Sequence, residues 1–147
     1  QLIPNMISYG VIDKTNITNH KHEAPLVGMY TFEQTNEWNA YMHLISNRSA
    51  WKKHLMDEAA NLAINDVFTN TTFNRLSGCV EEENRPLRYM ARRLGWVYEG
   101  LLEDWVTKNG DTKNVIHFGI TRKSWLSRNT TPDTVPVVTE DKLVEVS

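Results

Sequence analysis

Cysteine is nearly absent from this chain. Cys79 is the only one among 147 residues, so no disulfide can form within the chain. A reducing setting is expected, either the cytoplasm or the interior of a viral particle. Long apolar runs are missing too: none approaches the ~18 residues of a membrane helix, so no helical span is expected. There is no excess of positive charge, since 16 Lys and Arg face 18 Asp and Glu for a net charge of −2. That balance argues against a dedicated nucleic-acid binder. No internal repeat is visible. His20 and His22 form a His-x-His pair without further ligand types close by, so no metal site is expected. The Asn-x-Ser/Thr triplets at Asn16, Asn47, Asn70 and Asn129 read as chance in an Asn- and Thr-rich chain. The chain opens at Gln1 and not at Met, as expected of a trimmed or processed N-terminus.

What the chain does hold is core material. Apolar residues make up 40% and five are Trp. The length fits one domain that buries roughly 70% of its unfolded surface. Met6 to Asp13 reads as a strand, Lys14 to Glu23 as a hairpin loop, and Pro25 to Phe32 as a second strand. Gln34 to Asn36 makes a turn. Trp38 to Ile45 alternates as a third strand, with Trp38, Ala40, Met42 and Leu44 on one face. From Ser46 to Phe68 the period changes: Trp51, Leu55, Ala59, Leu62 and Ala63 recur at helical spacing, and Ser46, Asn47 or Ser49 can cap the start. Phe73 to Val80 is a strand. Arg85 to Leu94 is a short helix with Leu87, Met90, Ala91 and Leu94 inward. Asn84 is its N-cap, Pro86 suits its first turn and Gly95 stops it. Trp96 to Thr107 and Val115 to Thr121 are strands joined through Asn109-Gly110, a strong hairpin signal. From Leu126 the chain turns polar. Its "VPVVTEDKLVEV" segment has enough apolar residues to dock on a protein partner. The division is therefore a domain over residues 1–125 and a tail over 126–147. The order β-β-β-α-β-α-β-β predicts an α/β (α+β) fold with a mixed sheet and covering helices.

The segment from Arg75 to Trp125 resembles the C-terminal half of GNAT-type N-acetyltransferases, most of all the branch that modifies ribosomal-protein N-termini. The matching residues are Asn84, Leu94-Gly95-Trp96, Glu99-Gly100, Gly110-Asp111 and Trp125, with eleven residues from Asn84 to Gly95. The chain is also similar to short, divergent GNAT-like proteins of bacteriophages. The resemblance implies a mixed, mostly antiparallel sheet with a V-shaped splay between its central strands and a closing C-terminal hairpin. It implies acetyl-CoA as cofactor, an amine as acceptor and direct transfer between them. Trp38 to Ile45 and Phe73 to Val80 become the splayed strands, and Asn84 lies beside the pantetheine arm. The loop of Arg48, Ser49, Ala50 and Trp51 stands where the family binds pyrophosphate.

Departures from the family pattern shape the functional reading. The family's Gln/Arg-x-x-Gly-x-Gly/Ala loop lets backbone N–H groups approach a diphosphate at a helix N-terminus. Here Arg48 keeps the basic position, whereas Trp51 and Lys53 replace the glycines. The family's acid tyrosine, seven residues after the Asn, is Ala91, and Tyr89 points elsewhere. The strand and two helices that usually begin the fold have no counterpart, because the chain starts at what reads as the second strand. For the general base, His43 has the right chemistry, and Glu37, Glu81, Glu82 and Glu83 are acidic candidates, with Glu82 favoured among them. Two readings follow. One is an acetyl-CoA-dependent N-acetyltransferase with His43 and Glu82 as catalytic groups. The other is a catalytically degenerate GNAT-like structural protein within an assembly such as a viral particle, in which Trp51 fills the cofactor space.

Overall fold

The computed structural model describes residues 5–13, 25–51, 55–128 and 143–146. The Lys14 to Glu23 loop and the His20/His22 pair lie outside them. The elements are β1 (Met6–Asp13), β2 (Leu26–Asn36), β3 (Asn39–Ser46), α1 (Arg48–Trp51), α2 (Leu55–Asn70), β4 (Arg75–Glu81), α3 (Arg85–Arg93), β5 (Val97–Lys108), β6 (Asp111–Thr121), α4 (Arg122–Arg128) and β7 (Leu143–Val146). They form a seven-stranded sheet in the order β5-β6-β4-β3-β2-β1-β7. All pairs are antiparallel except β3 with β4 and β1 with β7. This is the mixed, mostly antiparallel sheet expected.

Local chemistry explains most boundaries. Asn84 Oδ1 accepts the Leu87 N–H at 3.2 Å, so the N-cap of α3 is as expected, and Gly95 leaves the helix at φ +86°. Asn109 and Gly110 both have positive φ, 54° and 81°, as a type I′ hairpin turn demands. Asn47 caps α1, its Oδ1 accepting from Ala50 N at 3.2 Å.

Three expectations need correction. The second strand continues to Asn36, and the turn moves to Glu37-Trp38 because Asn36 Oδ1 takes the Trp38 N–H at 2.9 Å. Trp38 is thus a 49% exposed turn residue and not the first residue of the strand. The helix expected from Ser46 to Phe68 is described over α1 and α2, with residues 52–54 between them outside the described ones. Arg122–Arg128 forms α4, although the sequence was read as strand and then polar tail. In that tail, Leu143–Val146 lies parallel to Gly10–Asp13 of the chain's own β1, where docking on a partner was expected.

The core fills one face of the sheet. Tyr9, Tyr30 and Phe32 are fully buried beneath α2. Tyr30 Oη donates to the Met56 carbonyl at 2.8 Å and also touches Met90 Sδ, so one side chain meets both α2 and α3. Tyr9 Oη donates to the Asp66 carboxylate. The Arg93 fork grips Asp57 at 2.7 and 3.1 Å, fixing α3 beside α2. Trp125 is buried, and its Nε1 donates to Asn65 Oδ1 at 3.2 Å, which seats α4 on the same layer.

Candidate active-site cleft

A parallel pair that stops early makes the cleft. β3 and β4 pair at Asn39/Arg75, Ala40/Leu76 and Tyr41/Ser77, and no further. Beyond Tyr41, β3 stays with β2 while β4 stays with β6. Backbone groups of Met42–Ser46 that face β4 therefore lack a strand partner, which is the splay expected of this fold. The gap opens into a cavity of about 640 Å³. Its inner wall is Leu87, Met90 and Ala91 of α3 and its C-cap Leu94, with Trp96 and Phe118. Gly78 sits between the strands: a Cβ there would stand 3.5 Å from the Met42 carbonyl oxygen and 3.7 Å from the Trp96 ring.

The outer part of the cleft is built by strand alternation. Tyr30 and Phe32 point to the helices, so Met29, Thr31 and Glu33 point the other way. The register sets Glu33 opposite Tyr41 and Thr31 opposite His43, which places His43 diagonal to Glu33. His43 Nε2 lies 2.9 Å from Glu33 Oε2. An ionised carboxylate only accepts, so its partner in this contact is an Nε2–H donor. The Tyr41 and His43 rings are 4.8 Å apart. Burial first, and then the hydrogen bond with the half-buried Cys79 thiol, push the Tyr41 hydroxyl above the usual tyrosine range. Glu33, Tyr41, His43 and Cys79 all line the cavity.

Of the residues singled out in the sequence, His43 belongs to this group. Glu82 does not. It lies in a separate polar hollow of about 270 Å³ with Glu81, Glu83, Asp104 and Lys113, and accepts from Asn114 Nδ2 at 3.1 Å. The turn after β4 carries it away from the splay. Arg48, Ser49, Ala50 and Trp51 do not line the cavity as described. Ala50 is fully buried, with its N–H taken by Asn47, while Trp51 is half-buried against the core and does not fill the cleft. Asn84 is exposed and engaged in capping α3. Tyr89 points outward and is 55% exposed, while Ala91 lines the cavity. Sequence reasoning missed Glu33 and gave Tyr41 no role. Alternation marks both as facing the same way as His43 once β2 and β3 are paired in register. Among the described residues, no cluster of metal-ligating side chains occurs and no helix is long and apolar enough to cross a membrane.

The family model of the acetyltransferase (GNAT) domain matches residues 5–97. No curated protein matches the chain. Among solved structures, mutant forms of the spermidine/spermine N-acetyltransferase SpeG from Vibrio cholerae superpose with a TM-score of 0.67 at 22% identity, over 71% of this chain and 64% of that one. The spermidine N-acetyltransferase of Vibrio cholerae in complex with CoA and spermine gives 0.66 at 22% identity, over 71% and 63%. A probable acetyltransferase gives 0.64 at 20%, over 68% and 58%. At these identities the likeness shows the fold. The chain spans less than two thirds of the length of those proteins.

Proposed function

This chain belongs to the GNAT acetyltransferase family, and from that premise we propose that it transfers an acetyl group from acetyl-CoA to a primary amine. The observation that carries the reading is the parting of β3 from β4 after Tyr41 and Ser77. An amide-bearing pantetheine arm fits there, because it can bond the unpartnered backbone of Met42–Ser46 while Leu87, Met90 and Trp96 cover its apolar flank. Gly78 keeps side-chain bulk out of the gap. Arg48 and Ser49, exposed just past the end of β3, face the diphosphate end, with Arg48 in the family's basic position supplying charge that compensates for the missing glycines. Trp51 and Ala50 support that turn from the core. Asn84 sets the entry of α3 beside the arm. A structural neighbour that holds CoA and spermine supports the reading.

Acetyl-CoA, when bound, supplies an acetyl group already activated as a thioester. The remaining work falls to side chains. His43 Nδ1 takes a proton from the attacking amine, with Glu33 holding the imidazole in that tautomer. A free backbone N–H of β3 donates to the carbonyl oxygen as negative charge grows on it. Tyr41, still protonated at working pH, delivers its Oη proton to the departing sulfur, a role the sequence had left vacant at Ala91. This machinery falls within the proposed domain of residues 1–125; α4 (Arg122–Arg128), seated by Trp125, runs across into the tail, where β7 pairs with β1. The degenerate structural alternative gains no support from Trp51, which is not among the residues lining the cleft.

Calorimetry with acetyl-CoA, paired with thiol release from amine panels, tests the proposal. Micromolar binding is expected. His43→Ala is expected to lower kcat by about 10²- to 10⁴-fold with acetyl-CoA affinity retained. Absence of binding at millimolar acetyl-CoA would overturn it.

A further inference from the structure

The cleft has two unlike ends. Its α3 side is apolar and enclosed. Its other side is the sheet face that no described helix covers, bearing Met29 and Glu33 of β2, His43 and Ile45 of β3, and Met6 of β1, which pairs with Glu33. Met6, Met29 and Ile45 are 59%, 37% and 65% exposed. Three large apolar side chains left open around one ion-pairing site mark a surface that a ligand covers. Two of them are methionines, whose unbranched thioethers adapt to varied shapes. In their midst stands the Glu33–His43 pair. Among the described residues, Glu33 is the only carboxylate on the cleft lining, and no Lys or Arg lines it.

We infer that the acceptor is a primary amine with a single positive charge and an apolar body, alkyl or aryl, and not a polyamine. The inference rests on the transferase reading and names its acceptor class. Glu33 draws in one ammonium group, which releases one proton to solvent to become the neutral, attacking amine; His43 takes the second proton during the attack. The substituent behind the nitrogen lies over Met29, Ile45 and Met6, where each methylene removed from water strengthens binding. A polyamine would bring further ammonium groups onto this apolar wall, where they would lose hydration without a partner. In the transfer itself the C–N bond forms as the C–S bond breaks. The sulfur leaves with the bonding pair and takes the Tyr41 proton, while the amine proton passes to His43. Amide and free thiol are the products, and no oxidant or reductant is needed. Tyr41 regains its proton as His43 releases one.

The test compares n-butylamine through n-octylamine, phenethylamine, spermidine and a short peptide beginning with Met, using the full chain. Transfer is read as thiol release. Amine binding is read separately by calorimetry, without acetyl-CoA. Affinity and kcat/KM are expected to rise about fourfold per added methylene until the wall is covered. Hexylamine and phenethylamine are expected to exceed spermidine by about tenfold or more. Ile45→Glu, at an exposed position, is expected to shift the preference toward spermidine by a similar factor. A peptide favoured over the free amines would support the class and identify its source as a polypeptide N-terminus. A flat alkylamine series, or spermidine bound as well as hexylamine, would overturn the inference. If acetyl-CoA fails to bind, the transferase reading falls, while the calorimetric ranking still decides the amine class.

Discussion

Arg122 is the residue on which the closed end of the cleft depends, and replacing it gives a sharp test of the architecture. Its Nε donates to the Phe73 carbonyl at 2.9 Å. One terminal nitrogen reaches Thr71 and Phe73 at 2.5 and 2.6 Å, and the other reaches the Phe68 carbonyl. The guanidinium also lies 5.6 Å from the Phe68 ring centroid. The Arg122 N–H donates to Asn74 O at 2.8 Å, and Asn74 N donates to Trp38 O at 2.7 Å. One side chain thus ties the C-terminus of α2 to the start of β4, just before the short parallel pairing with β3. Arg122→Ala leaves three carbonyls without this donor. A charge-assisted bond contributes about 1.5–3 kcal/mol net. The site is half-buried and water can replace part of the loss, so about 3–4 kcal/mol in total is expected. For a domain of this size that lowers Tm by roughly 10 °C. Urea unfolding gives the free energy, and a thermal scan gives Tm. Arg122→Lys is expected to recover less than half, because an ammonium group cannot span three acceptors as a planar fork does. A loss below about 1 kcal/mol, or full rescue by Lys, would refute the bracketing role.

Two further outcomes follow from the same structure. Burial, followed by Asp66, Asp57 and Cys79 respectively, raises the Tyr9, Tyr30 and Tyr41 hydroxyls above the ordinary tyrosine range. The fold favours the protonated form, so this stability is fully present below pH ~10 and is lost as pH climbs through the folded values. Near-ultraviolet absorbance should show these tyrosines ionising late and together with unfolding; early, independent ionisation would contradict the buried placement. Asn84→Ala is expected to cost about 1 kcal/mol, and Asn84→Ser to restore most of it, as read from urea midpoints. Equal losses in both variants would mean that capping is not the contribution of Asn84 to stability.

Much of the fold was legible wherever the partners are close in sequence. Asn84 reaches an N–H three residues on, Gly95 turns the helix end by its own φ, and Asn109-Gly110 closes a two-residue loop. Each is decided by a few neighbouring dihedrals. Helix α4 escaped notice because Arg122 and Trp125 hold it through groups about 50 to 60 residues away, and β7 because its partner is β1, at the other end of the chain.

The site divides the same way. His43 was visible as a histidine on a strand, but Glu33 acquires meaning only when β2 and β3 pair in register. Glu82 was one of the acidic candidates for a base near the splayed strands, yet the turn after β4 sends it to a different hollow. By itself the sequence determined the helix caps, the hairpin turn and the alternation that puts His43 and Tyr41 on one face, since these depend on covalent geometry and local hydrogen bonds. Only the tertiary structure decided where β3 leaves β4, and hence that there is a cleft and which side chains enter it. The end of a strand pairing is a balance among distant packing contacts, and no stretch of neighbouring residues carries it.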